Sequence, residues 1–301
     1  MAKKKDEEQN TTAKKRHNEL PVPKGKLLAI GGKENKGDDE ETEVQRLSVD
    51  FIKEEILKRF VDELKGDNPM VAVLPTASSE PDKSAQDYVK VFTELGVKNV
   101  KVIDIQERPD AMLEENCDII KAADGIMITG GDQLKLTAIL GGTSFLETIK
   151  DRYAHDNFII AGTSAGAAAL STPMIYEGET AHGMLKGDVR ITTGLEFLKN
   201  VAIDTHFIER GRIVRMAQCI ATNPGCIGIG LEEDTAILVT EGRNVEVIGT
   251  GLVTVVDGMK VTRNNIFEIE SGQPFSVCGL TVHLMAEGEN YSLPVFEQII
   301  G

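Results

Sequence analysis

The feature that most constrains this chain is a series of short apolar runs, each stopped by glycine, proline or a polar residue and each followed by a stretch of helical spacing. The runs are Lys26-Leu27-Leu28-Ala29-Ile30-Gly31-Gly32, Met70–Pro75, Val100–Ile105, Ile126–Thr129 and Phe158–Ala161. They are too short for buried helices and lack polar alternation, which predicts strands buried on both faces. Between the first two, Val44, Leu47, Phe51, Ile52, Ile56, Phe60 and Leu64 fall at helical spacing and predict one helix. Further helices are expected over Ser84–Leu95, Met112–Ala122, Leu134–Leu140 and Leu146–Tyr153. Strand and helix in alternation predict an α/β fold, a parallel sheet flanked by helices. Such sheets carry their ligand sites at the carboxyl ends of the strands.

The texture changes after residue 227. Val245–Leu252, Val253–Met259 and Leu280–Ala286 read as strands joined by glycine-containing turns, a C-terminal β extension of the same domain. Residues 1–24 are polar without an apolar period and predict a disordered tail, leaving 25–301 as a single α/β domain. An acidic loop is expected at Gly37–Glu41.

Composition excludes several classes. A formal net charge of -15 argues against a nucleic-acid partner and weakly favours cationic substrates. No apolar run approaches the roughly 20 residues of a membrane span. The charged N-terminus has no apolar core of a secretory signal. Cys117, Cys219, Cys226 and Cys278 form no CxxC pair and lie at no zinc-ligand spacing from histidine, which predicts buried free thiols in a reducing cytoplasm.

The chemistry concentrates at Gly162-Thr163-Ser164-Ala165-Gly166, directly after the buried run Phe158–Ala161 and directly before the Ala-rich Ala167-Ala168-Ala169. Gly-x-Ser-x-Gly between a strand and a helix is the context of a nucleophile elbow, a sharp turn that lifts the serine oxygen above the sheet. The following helix N-terminus and the Ala165 N–H stand ready to stabilise an oxyanion.

A serine hydroxyl needs a general base. His17 lies in the tail, His155 in a polar loop, His182 in a glycine-rich loop and His283 in a late β pattern. His206 follows the apolar Val201-Ala202-Ile203, at an expected strand end, and opens a polar cluster with Asp204, Glu209, Arg210, Arg212 and Arg215 nearby. A carboxylate must then hold the imidazole in the right tautomer. Glu232, Glu233 and Asp234 follow the apolar Gly228-Ile229-Gly230-Leu231, and Glu177 is a rival closer to Ser164 in sequence.

These blocks, with Thr129-Gly130-Gly131-Asp132-Gln133, Asp204-x-His206-Phe207-x-x-Arg210-x-Arg212-x-x-Arg215, Gly31-Gly32-x-Glu34-x-Lys36 and Leu74-Pro75-Thr76-Ala77-Ser78, resemble the cyanophycinase family of serine peptidases, related to aspartyl dipeptidase. They run in the family's order from about residue 26 to 240. The resemblance implies a fold like that of class I glutamine amidotransferases and a triad of Ser164, His206 and Glu233. It also implies an oxyanion hole from the backbone of Gly131 and Ala165, and substrate contacts from Gln133, Asp204, Arg210, Arg212 and Arg215. The expected substrate is cyanophycin, a poly-aspartate bearing arginine on each β-carboxyl, cleaved by a cytoplasmic homodimer without metal or cofactor. The arginines would read its carboxylates through bidentate guanidinium forks. Alternatives are an aspartyl or isoaspartyl dipeptidase with the same triad, or a binding protein without turnover. Thr205 departs from the family's pattern, which has Gln beside the histidine.

Overall fold

The computed structural model describes residues 22–37, 40–48, 51–178 and 183–294. Most of the expected tail, the middle of the acidic loop, His17 and His182 lie outside them. The first half of the chain runs β1 (Lys26–Ile30), α1 (Glu43–Leu47), α2 (Glu55–Asp62), β2 (Met70–Leu74), α3 (Pro81–Glu94), β3 (Asn99–Val102), α4 (Glu114–Ala122), β4 (Gly125–Ile128), α5 (Gln133–Leu140), α6 (Ser144–His155) and β5 (Ile159–Thr163). Then come α7 (Ala165–Ala169), β6 (Ser171–Thr172), β7 (Met174–Glu177), β8 (Arg190–Thr192), β9 (Leu198–Lys199), β10 (Val201–Thr205), α8 (Ile213–Thr222) and β11 (Ile227–Leu231). The last part adds β12 (Thr235–Thr240), β13 (Asn244–Gly249), β14 (Val253–Asp257), β15 (Arg263–Asn264), β16 (Val277–Cys278), β17 (Thr281–Met285) and β18 (Asn290–Ser292).

Every apolar run of the first half becomes a strand of one eight-stranded sheet, in the order β18-β13-β12-β1-β5-β4-β2-β3. The five strands β1 to β5 pair in parallel, and β12 closes antiparallel on β1. Period-two alternation decides which side chain goes where. Leu28, Ile30, Val71 and Val73 pack on Phe60 of α2 and on Tyr88 and Phe92 of α3. Leu27, Ala29, Ala72 and Leu74 join a larger cluster with Ile120, Leu140, Phe145 and Ile149 of the helices opposite.

Two expectations change. The single helix over Val44–Leu64 is two, α1 and α2. Ser48 leaves α1 in extended backbone, and Glu54 takes a left-handed φ of 57° before α2 begins. Three residues of the apparent stripe, Val44, Leu47 and Ile52, are exposed, so helical spacing continued across a break with no core to enforce it. In place of packing, a capping box of Thr42 and Gln45 holds α1, and Gln45 Nε2 donates to Asp234 Oδ2 at 2.7 Å.

The C-terminal strands are also divided. β12, β13 and β18 extend the first sheet, whereas β14 and β17 belong to a second, six-stranded sheet of order β17-β14-β11-β10-β6-β9. Ile203, Ile229, Val253 and Val255 of the second sheet share an apolar cluster with Leu27 and Ala29 of the first. The second sheet thus covers apolar surface that helices alone were expected to cover. Cys117, Cys219 and Cys226 are buried free thiols, but Cys278 is exposed on the short strand β16. Among the described residues no helix is long and apolar enough to cross a membrane.

Candidate active site

The site forms where the carboxyl ends of strands from both sheets meet. β5 ends at Thr163, and Ser164 turns the chain into α7 with φ 51° and ψ -112°. The turn is as tight as its glycines allow. A Cβ on Gly162 would lie 2.6 Å from the Gly166 backbone, and one on Gly166 would lie 2.5 Å from the Ile128 carbonyl oxygen. The Ser164 N–H donates to the Ile30 carbonyl at 2.9 Å, tying the turn to the end of β1. Four of the eight non-glycine residues with positive φ among the described residues are Lys33, Ser164, His206 and Asp234, all in the loops that meet here. Backbone strain is thus concentrated at the strand ends that build the site.

His206 follows β10, the central part of the second sheet, and its N–H donates to the Gly31 carbonyl at 3.2 Å. Gly32 lies beneath the imidazole, where a Cβ would come within 2.5 Å of Cε1. Ser164 Oγ is 3.0 Å from His206 Nε2, and His206 Nδ1 is 2.7 Å from Glu233 Oε1. Glu233 stands in the turn between β11 and β12. Lys33 Nζ lies 3.0 Å from the same Glu233 oxygen.

The electrostatics suit a neutral imidazole. Burial depresses the His206 pKa, the Glu233 hydrogen bond opposes that, and the nearby Arg210 charge adds to it, leaving a net lowering. Burial alone would raise the Glu233 pKa, but hydrogen bonds from His206 and Lys33 outweigh it and keep the carboxylate ionised. An ionised Glu233 at Nδ1 favours the tautomer with its proton there, so Nε2 is left to accept from the Ser164 hydroxyl. Glu177, the rival acid, is exposed at the end of β7 and pairs with Arg190 at 3.1 Å.

The residues expected to read substrate carboxylates are arranged otherwise. Asp204, Arg212 and Arg215 are buried, with relative exposures of 3%, 8% and 4%. Arg215 Nε donates to Asp204 Oδ2 at 2.6 Å, and its Nη2 donates to Oδ1. Arg212 Nη1 reaches Asp204 Oδ1 at 3.1 Å and the Thr205 carbonyl at 2.7 Å. The two guanidinium groups therefore neutralise the internal carboxylate of Asp204, and Arg212 also holds the carbonyl of the residue before His206, where substrate-reading forks were expected. The spacing that puts Arg212 and Arg215 on one helix face was sound, but that face of α8 turns inward. Gln133 also faces structure, its Nε2 donating to the Ile175 carbonyl at 3.1 Å. Arg210 is exposed. Gly130 touches the turn that carries Ser164, a Cβ there lying 3.4 Å from Ser164 Cβ, and Gly131 follows with φ 143°. Ala165 is the first helical residue of α7, where N–H groups have no partner within the helix.

One cluster escaped the sequence reading. Glu34, 1% exposed, accepts from Tyr88 Oη and, at 2.7 Å, from Thr163 Oγ1, while Lys36 Nζ lies 3.2 Å from it. Lys36 also stands over the Tyr88 ring, 5.0 Å from its centroid. Burial would raise the Glu34 pKa, but Lys36, Tyr88 and Thr163 together hold it below the usual carboxylate range. Glu34 thus grips Thr163, the residue directly before Ser164. The motif Gly31-Gly32-x-Glu34-x-Lys36 at a strand end was the available signal for Glu34 and Lys36, while Tyr88 looked like any other apolar-face residue of its helix.

The model of peptidase family S51 matches residues 47–247, and the chain belongs to that family and is a serine-type peptidase. It is 31% identical over 275 residues to a cyanophycinase of Geminocystis herdmanii (strain PCC 6308), covering 91% of this chain and 96% of that one. It is 33% identical over 270 residues to a cyanophycinase of Thermosynechococcus vestitus (strain NIES-2133 / IAM M-273 / BP-1), covering 90% of this chain and 80% of the relative. Its fold is similar to the crystal structure of a peptidase from an acI-B1 actinobacterium, with a TM-score of 0.61 at 19% identity over 91% of this chain and 99% of that one.

Proposed function

We propose that this chain is a cyanophycinase-like exopeptidase whose single domain, 25–301, hydrolyses cyanophycin to β-aspartyl-arginine dipeptides through an acyl-enzyme. Ser164, on a nucleophile elbow like that of class I glutamine amidotransferases, attacks the carbonyl carbon as His206 Nε2 takes its proton. The backbone N–H groups of Gly131 and Ala165 receive the negative charge that develops on the carbonyl oxygen. His206 then returns the proton to the leaving amine, and a water activated in the same way releases the acyl group. Glu233 keeps the imidazole oriented and stabilises it when charged. The observation that carries this reading is the chain of contacts Ser164 Oγ–His206 Nε2 at 3.0 Å and His206 Nδ1–Glu233 Oε1 at 2.7 Å. Similarity to proteins named cyanophycinase over about nine-tenths of the chain supports the substrate.

A second reading, an aspartyl or isoaspartyl dipeptidase, gains from the burial of Arg212 and Arg215, because the polymer reading relied on them as carboxylate contacts. Incubation with insoluble cyanophycin and with short β-aspartyl peptides, followed by mass analysis of soluble products, decides between the two. The expected product from the polymer is β-aspartyl-arginine. Cleavage of the short peptides alone moves the assignment to the dipeptidase. In either case Ser164→Ala is expected to leave less than about a thousandth of the activity while the protein folds normally. A larger residue of activity removes Ser164 as the nucleophile.

A further inference from the structure

A pocket of about 260 Å³ opens beside Ser164 and His206, between the loop after β1 and the first turns of α3. Its volume lies below the ~300–1,000 Å³ of sites that enclose whole ligands, so it suits one substrate side chain. Four charged residues line it: Lys33, Glu34, Lys36 and Asp87. Three of them are already matched. Lys33 pairs with Glu233 at 3.0 Å, and Lys36 pairs with Glu34 at 3.2 Å. His206, also in the wall, is held toward its neutral form by burial and by Arg210. Asp87 is exposed at the mouth and makes no ion pair among the described residues.

The unmatched charge of the pocket is therefore negative. When a ligand excludes water from such a wall, the carboxylate must meet a cation or lose hydration without compensation. Ser84 lies three residues before Asp87 on α3, so the two share a helix face and both line the pocket. A carboxylate with a hydroxyl beside it presents acceptors to a planar fork of N–H donors, which fits a guanidinium better than a point-charge ammonium. The wall beneath is firmly held, because Tyr88 is buried and engaged by Glu34 and Lys36. The chain's net charge of -15 also draws cations toward it.

We infer that this pocket is a specificity subsite for a guanidinium-bearing side chain of the substrate unit at the scissile bond, with Asp87 as its counter-ion and Ser84 as a second acceptor. The inference rests on the reading of Ser164 as nucleophile, because that reading places the scissile bond at the pocket mouth. It does not require the β-aspartyl polymer.

The test compares ethyl esters of arginine and of citrulline, which has a neutral ureido group in place of the guanidinium. The wild-type chain is expected to prefer arginine in kcat/KM by about tenfold or more, the worth of a charged hydrogen bond. Asp87→Asn should bring the two esters close to parity by lowering arginine alone, and Asp87→Lys should invert the preference. A wild-type ratio near one, a ratio unchanged in Asp87→Asn, or an equal loss on both esters overturns the subsite. If neither ester is turned over, calorimetry with agmatine decides the subsite, while the nucleophile reading is tested separately by Ser164→Ala. Agmatine binding weakened by Asp87→Asn supports it, and absent or unchanged binding overturns it.

Discussion

Two charged clusters flank His206, and they differ in what they face. Asp204, Arg212 and Arg215 lie close to the histidine in sequence, yet all three are buried, and both arginines are bonded to Asp204. Glu34, Lys36 and Tyr88 come from two distant segments, yet they line the pocket beside Ser164. Proximity to His206 along the chain therefore marked the residues that brace its backbone, while the wall of the cleft came from the end of β1 and from α3. Removing one member of a buried ion pair is costly because the other charge is left buried without compensation. The first cluster keeps its charges inside the fold, whereas the pocket that the second lines has Asp87 exposed at its rim.

The comparison breaks most visibly at Asp204. Asp204→Ala leaves two buried guanidinium groups without their carboxylate and is expected to lower the unfolding free energy by about 3–5 kcal/mol, read by chemical denaturation. The loss of activity should be the same for charged and neutral substrates. Unchanged stability with a loss confined to carboxylate-bearing substrates would return the arginines to a substrate-reading role.

A smaller effect is expected at Glu34, which acts on Ser164 through Thr163. Glu34→Gln keeps the shape but loses the charge that Lys36, Tyr88 and Thr163 hold in place, and the turn carrying Ser164 is freed to shift. A displacement of this kind lowers kcat by about 10–100-fold with little change in KM, measured on a neutral ester. A rise in KM with kcat preserved would make Glu34 a substrate contact instead of a brace for the nucleophile.

The smallest effect concerns the pH profile. If His206 is the general base, as proposed, turnover requires its neutral form, so activity falls as pH drops through its pKa, which burial and Arg210 hold below the ordinary value of about 6.5. Arg210→Gln removes a charge that disfavours the imidazolium, so the pKa rises and the acid limb of kcat/KM moves upward by a fraction of a pH unit. A limb that stays in place, with activity lost on carboxylate-bearing substrates only, would assign Arg210 to substrate binding and sharpen the contrast with its buried neighbours.

The parallel strands were legible because burial on both faces demands continuous apolar runs, and Gly162 and Gly166 were legible because nothing larger fits the turn. Ser164 and His206 were legible as candidates because each lies just past such a run, and strand ends are where a parallel sheet collects its polar groups, whereas the choice of Glu233 among Glu232, Glu233, Asp234 and Glu177 came from the family resemblance alone. What the sequence did not contain was the direction of faces. The three-residue spacing of Arg212 and Arg215 puts them on one side of the start of α8, but only packing against the second sheet turned that side inward. The helix over Val44–Leu64 failed for the same reason, since spacing does not tell whether a stripe meets a core. The parting of β13 from β14 into different sheets, and the meeting of Glu34 with Tyr88 and Thr163, join residues far apart in the chain. Local pattern reports what one segment needs to bury, and only the assembled fold decides which distant segment buries it.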